Sequence, residues 1–420
     1  MTMTSGLAAL LFGSLVVAAR GGAATPGVPA VDAPKAPAPA AESAPASMPA
    51  VGAPGPTAAP ESAPAGAPAA PAAPTGLSLG PLRVHGFVDA YYDFNFNQPA
   101  NGENFFPGVG STPKRHDQIG LNLAALELLV DPKPVGAHLV LYAGSSTDVI
   151  HAGEPAGGVG SGADLWRFIG IATVSAVAPL GRGLLFELGI QPCHAGLESF
   201  WTKDNWNYTH SWMAELSPYY QTGLKTAYAI TDHLSVSAHV MNGWQIIGEN
   251  NAGKTFGTQL AWSSDLVSAS WNTLFGPELP GDAAHWRVFD DFVLSVHPLD
   301  WLAFAATFDF AWQDQPVGDD AWWWAGAVYA RVSPRPWGAL AVRAEYFDDR
   351  DGAISGTAQR LLEGTVTVEL RPWEHLILKV EGRYDHSTAP VFFSDRLDAA
   401  GVPELVQNQG LVTLGAVAIL

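Results

Sequence analysis

The chain has 420 residues, 48% of them hydrophobic, and a formal net charge of −19. That acidity argues against nucleic-acid binding, which needs a basic surface, and the absence of any run of about 18 apolar residues beyond the N-terminus argues against a helical membrane protein. A single cysteine, Cys193, excludes an intrachain disulfide framework and a cysteine-based zinc site.

In chain order, residues 7–19 (LAALLFGSLVVAA) read as the apolar core of a secretory signal, and GGAA at 21–24 offers cleavage after Ala24. The basic residues that normally precede such a core are missing. The apolar core and the small residues after it assign the signal to 1–24, either as an atypical signal or with a misplaced start. Residues 25–76 are low-complexity: 33 of the 51 residues at 25–75 are Ala or Pro, too little apolar surface to offset ordering entropy. Proline biases the segment toward a semi-rigid spacer, so a disordered periplasmic tether is expected.

From Leu82 onward the pattern changes to period two. Residues 82–96 place Val84, Val88, Tyr92, Phe94 and Phe96 on one face and Arg83, His85, Asp89, Asp93 and Asn95 on the other. Sixteen such strands are predicted: 82–96, 117–130, 137–145, 164–176, 184–192, 218–230, 233–243, 254–263, 266–275, 286–296, 300–313, 322–333, 338–348, 359–371, 374–387 and 408–420. Short connections (131–136, 177–183, 231–232, 264–265, 297–299, 334–337, 372–373) alternate strictly with long ones (97–116, 146–163, 193–217, 244–253, 276–285, 314–321, 349–358, 388–407). An all-β, transmembrane, antiparallel up-and-down barrel over 80–420 requires this order, with short turns in the periplasm and long loops outside. Trp301, Trp337 and Trp373 stand near three short turns, where a membrane interface favours them. Sixteen strands leave an aqueous channel. The final strand ends on Leu420, where outer-membrane barrels usually place an aromatic residue.

Parity assigns the lumen-facing charges. Basic candidates are Arg83, Lys225, Arg287, Arg331, Arg343, Lys379 and Arg383; acidic ones are Asp89, Asp93, Glu187, Asp291, Asp309, Glu345, Glu363, Glu369, Glu381 and Asp385. Rings of such charge set ion selectivity. External loops add more acid, as in Asp319-Asp320, so a weak cation preference is expected. The alternative is that the lumen charges pair with each other and merely keep the wall wet. Loop 193–217 carries Trp201, Lys203, Asp204, Trp206, Tyr208, His210, Trp212 and Glu215. So many aromatic side chains must pack on something. They either fold into the lumen as a constriction or pack on each other outside it.

Four stretches carry a family resemblance: HGFVDAYYDFNFNQP at 85–99, IGLNLAALEL at 119–128, ELGIQPCHAGLESFWTKDNWNYTHSWMAELSPYYQTGLKTAY at 187–228 and MNGWQIIGENNAGKTFGTQL at 241–260. Across about 80–420 the chain resembles the OmpL-like putative β-barrel porin family of Gram-negative outer membranes. The resemblance implies a porin-type outer-membrane protein and passes on no substrate.

Two catalytic look-alikes are set aside. Residues 248–255 (GENNAGKT) fit the P-loop string, but that loop must open a helix, and FGTQLAW after Thr255 reads as a strand. Serine hydrolysis needs Ser, His and an orienting partner in reach; no G-x-S-x-G occurs, and the adjacent His210 and Ser211 would point apart on a strand. No metal or cofactor site is expected.

The sequence reading is therefore a non-enzymatic outer-membrane porin passing small hydrophilic solutes by diffusion. Its expected partners are outer-membrane lipid, those solutes, the barrel assembly machinery and, by analogy with general porins, two further copies in a homotrimer. The competing reading is a closed structural or adhesive barrel with a periplasmic tether.

Overall fold

Alternating apolar and polar side chains can satisfy two solvents only if the sheet closes and leaves no unpaired edge. The computed structural model of the chain, which describes residues 76–155 and 162–420, has this form. The predicted signal and, apart from Gly76, the predicted linker lie outside the described residues.

The elements run β1 (Leu77–Leu79), β2 (Leu82–Asn95), β3 (Gln118–Val130), β4 (Val135–Ala143), α1 (Ser145–Ile150), α2 (Ala163–Trp166), β5 (Ile169–Ala178) and β6 (Leu184–Pro192). They continue with α3 (Trp212–Glu215), β7 (Tyr220–Ala229), β8 (Leu234–Met241), β9 (Thr255–Ser263), β10 (Val267–Pro277), β11 (Trp286–Leu299) and β12 (Leu302–Gln313). The last are β13 (Ala321–Arg335), β14 (Gly338–Asp349), β15 (Gln359–Trp373), β16 (Leu376–Ser387), β17 (Phe392–Leu397), β18 (Pro403–Val406) and β19 (Asn408–Ile419). Neighbours from β2 to β16 pair antiparallel, β16 then pairs with β19, and β19 pairs with β2. The result is a closed barrel of sixteen strands. β1 folds back on β2, with Leu77 opposite Val84, and β17 with β18 makes a separate hairpin in the last long loop.

Burial alternates along the strands. On β15, Leu362, Val366 and Val368 are exposed on the outer face, while Glu363, Thr365 and Thr367 are buried inside. β14, β16 and β19 repeat this inverted arrangement. An apolar exterior around a polar interior is what a lipid-facing barrel needs. Trp301, Trp337 and Trp373 are exposed beside the short turns. The hairpins at these turns carry register shifts at Val296/Leu299, Val332/Arg335 and Leu370/Trp373, and such bulges sharpen the local twist.

Three local expectations are corrected. The strand predicted at 164–176 begins at Ile169, because Ala163–Trp166 forms the helical turn α2. The strand predicted at 137–145 ends at Ala143, because Gly144 turns the chain into α1. The short strands β1, β17 and β18 have too few residues to register as alternation.

Candidate functional site in the barrel lumen

The connection between β6 and β7 is folded inside the barrel. Trp206, Tyr208, His210 and Trp212 are buried; Trp201, Lys203 and Asp204 are half-buried; and the Glu215 side chain is 4% exposed. Ser211 caps α3 by accepting from the Ala214 N–H. Trp212 has aromatic partners on both sides: Phe106 stacks on it at 4.8 Å, and Phe105 meets it edge-on at 5.7 Å. Phe392 from the last long loop completes this cluster at 6.0 Å from Trp212. An aromatic cluster thereby joins the lumen loop to the first and last long loops inside the barrel.

Lumen-facing charges fasten the loop to the wall. Arg343 on β14 donates to Glu198 (2.7 Å) and to the Thr209 carbonyl (2.7 Å), and its Nε donates to Glu363 on β15 (3.0 Å). Glu345 accepts the N–H groups of Trp212 and Met213, both at 2.7 Å. Glu381 on β16 accepts from the N–H groups of Tyr208 and Thr209. Arg383 donates to the His210 carbonyl and pairs with Asp385, which accepts the indole N–H of Trp212 at 2.9 Å. Lys379 donates to the carbonyls of Thr202 (2.8 Å) and Asn207 (3.3 Å). On the other side of β19, Asp89 on β2 accepts from Tyr208 Oη (2.8 Å) and Thr202 Oγ1 (2.6 Å). Hydrogen bonds to ionised groups are about twice as strong as neutral ones.

This arrangement changes the picture of an open charged wall. Asp89, Arg343, Glu345, Glu363, Lys379, Glu381, Arg383 and Asp385 are covered by the loop or by each other. Asp93 is held by Asn104 (2.7 Å) and Thr413. Arg287 lies between Trp244 (4.9 Å) and Trp323 (5.3 Å). Arg331 and Arg371 share Glu369 at 2.9 Å each. Arg83 is at the short-turn rim, paired with Asp131. Asp291 accepts the Gly196 N–H (2.9 Å), and Asp309 is opposite it on β12. Glu187 pairs with Lys225 at 3.3 Å. Parity could assign these side chains to the interior; it could not show that loop backbone, more than water, would meet them.

Cavities lie beside the Lys203–Trp206 segment, which lines two of them. One, of about 550 Å³, is lined by residues from β2, β3, β6, β7, β8 and β12. The other, of about 460 Å³, includes Arg331, Arg335 and Glu369.

The family model described as "Putative beta-barrel porin-2, OmpL-like" matches residues 81–420. The chain belongs to this OmpL-like porin family. No curated protein matches it. Among solved structures, it is similar to the anion-selective porin from Comamonas acidovorans, with TM-score 0.54 and 12% identity over 81% of this chain and 99% of that one. Outer-membrane-expressed OmpT of Vibrio cholerae gives 0.52 and 9%, over 82% and 99%. Salmonella typhi OmpF, in complex with daunomycin, gives 0.52 and 10%, over 80% and 97%. At these identities the likeness is one of fold.

In this OmpL-like barrel the P-loop look-alike is resolved directly: Lys254 pairs with Glu249, and Thr255 opens strand β9. A Ser–His–carboxylate group does come together, from residues that the sequence did not connect. Ser111 Oγ is 2.9 Å from His210 Nδ1 and donates to Glu215 at 2.8 Å. His210 Nδ1 also faces Glu215 at 3.5 Å, and Nε2 meets the Ser199 carbonyl at 2.9 Å. A catalytic triad needs opposite ring nitrogens for serine and carboxylate. Here one nitrogen serves both, the other is occupied, and Ser111 and His210 are fully buried. The group is a latch between the first long loop and the lumen loop.

Burial alone would lower the His210 pKa, but the hydrogen bond and charge of Glu215 outweigh it and raise it; burial likewise opposes Glu215, whose pKa is lowered by His210. A raised histidine contributes stability below its ordinary value of about 6.5 and loses it as pH rises through the folded value; a depressed carboxylate contributes above about 4.3 and loses it as pH falls through its folded value. The latch is therefore tightest between these limits. Hydrogen exchange at the Ser111 amide, which donates to Glu215, should be better protected at pH 6 than at pH 9 after correction for intrinsic rates. His210→Gln should abolish that difference; equal protection in the native chain would refute the ionised latch.

Proposed function

We propose that the barrel is a non-enzymatic diffusion channel for small hydrophilic solutes and ions, with a weak preference for cations. In this reading the long loops face the exterior, and the short turns and the Ala/Pro-rich segment face the periplasm. The observation that carries it is the β6–β7 loop folded across a sixteen-strand lumen with cavities left beside it. Eight-stranded barrels are filled by their own wall side chains, whereas sixteen strands need such a loop to narrow them. The charge preference rests on the long-loop end. Asp319, Asp320, Asp351, Asp395 and Asp398 are exposed there. The exposed basic side chains of Lys254, Arg396, Arg115, Arg350 and Arg360 each sit beside an acid: Glu249, Glu404, Glu103 and, for the last two, a shared Asp348. A negative mouth concentrates cations and repels anions. The homotrimer and passage through the barrel assembly machinery belong to the same proposal, and crosslinking in native membranes tests the first.

The aromatic cluster around Trp212 favours a second reading, a closed structural barrel. Planar-bilayer recording of the folded full chain in a potassium chloride gradient separates the two. Discrete steps with a cation-signed reversal potential are expected. An anion-signed potential would remove the charge preference, and silence from inserted protein would favour the closed barrel.

A further inference from the structure

The chain enters the barrel through its wall. β1 pairs with β2 from Leu77 opposite Val84 to Leu79 opposite Leu82, which sets Gly76 level with His85. A Cβ added to Gly76 would stand 2.5 Å from His85 Nδ1, on the lumen side. β3 holds the other edge of β2, so β1 shares its edge with the end of β19. There Leu420 donates to the Gly86 carbonyl at 2.8 Å, and the strand slot beyond Gly76 is taken. Leu77 and Leu79 are exposed on the outer face, among the lipid-facing residues. Chain that left outward at Gly76 would carry unpaired backbone carbonyls into hydrocarbon, which is costly. The stretch that ends at Thr75 is left with the lumen.

Beside Gly76 lies the larger cavity, of about 550 Å³, with His85, Gly86, Phe87 and Ile419 in its wall. Its lining is rich in aromatic rings. Phe87 meets Trp201 edge-on at 5.0 Å, and Phe200 packs on Trp201 at 4.2 Å. Trp201 is half-buried, and Phe87, Phe200, Trp206 and Tyr219 stay 5–7% exposed, so these rings do reach open space. Apolar surface facing a wet lumen is better covered than left to water. The stretch next to it in sequence has matching chemistry. Residues 67–75 read APAAPAAPT, with Pro68, Pro71 and Pro74 at every third position. A polyproline II helix has three residues per turn, so these three rings share one edge. Such helices dock on aromatic-lined grooves and lose little entropy in doing so. No charged residue stands between Glu61 and Gly76, so docking desolvates no charge. We propose that residues 67–75 dock in this cavity as an internal plug, with the proline edge against the aromatic wall. The earlier part of the Ala/Pro-rich segment then leaves through the short-turn opening.

The test uses the folded full chain in detergent, carrying Cys193→Ser and one new cysteine at a time. Ala72→Cys lies within the stretch and Ala41→Cys lies well before it. Maleimide labelling should be roughly tenfold slower at Ala72→Cys, as for a stretch docked about nine-tenths of the time. Replacing Pro68, Pro71 and Pro74 together by Ala changes no barrel residue and should bring the two rates together. Trp201→Ala should do the same from the cavity side, with β-sheet dichroism unchanged. Equal rates in the proline-bearing chain, or slow labelling that persists in either variant, would overturn the proposal. The effect of the plug on passage rests on the diffusion reading: the proline variant should show larger channel steps. Slow labelling without channels supports the plug and removes diffusion; channels with equal labelling rates remove the plug and leave diffusion standing.

Discussion

Arg343→Met is expected to release the lumen loop and raise the conductance of the barrel. The Arg343 guanidinium joins Glu198 and Thr209 of the loop to Glu363 of the wall, and its side chain is fully buried. Methionine keeps much of the length but leaves buried Glu198 without its cation and Glu363 with only the more distant Arg383, at 4.0 Å. Removing one partner of a buried pair costs about 3–5 kcal/mol. That cost can be relieved if the loop swings out and lets water reach Glu198 and Glu363. Larger channel steps and faster acrylamide quenching of Trp206 and Trp212 should therefore appear together. Arg343→Lys should fall between, since an ammonium keeps the charge but cannot reproduce the planar fork. Native-sized steps in Arg343→Met would show that the loop is held without this residue.

The second large effect is expected at Gly415. This glycine lies on the lumen face of β19, and a Cβ there would stand 2.4 Å from the Tyr208 ring. Gly415→Leu should push Tyr208 off its seat and break its hydrogen bond to Asp89, an overpacking cost of about 1–3 kcal/mol. Strand pairing involves backbone, so β-sheet dichroism should survive while tryptophan quenching and conductance rise. Gly415→Ala should produce the same changes in smaller degree. Dichroism lost together with the loop would mean that Tyr208 supports the wall itself.

The strands were legible because lipid and lumen impose opposite demands on neighbouring residues. Leu362 and Glu363 cannot exchange places, so parity alone orders β15 and its neighbours. The loop was legible only as a problem: Trp206, Tyr208 and Trp212 had to pack somewhere, and composition could not say where. Its seat depends on pairs such as Tyr208 with Asp89 and Arg343 with Glu198, which follow from closure of the sheet. Ser111 was invisible for the same reason, being 99 residues from its partner His210. The α1 and α2 turns escaped because their four to six residues are too few to establish a helical period.

Barrel closure brings β2, near the start of the described chain, against β19 at its end. The mid-chain loop spans that seam from within. Tyr208 reaches 119 residues back to Asp89 on β2, while Trp212 reaches 173 residues forward to Asp385 on β16, the strand beside β19. A half-built sheet would lack one bank or the other, so the loop can seat only when the last strand finds the first. Once seated, it works as an internal rivet, and prying the seam apart sideways would require unfastening Tyr208 or Trp212 first.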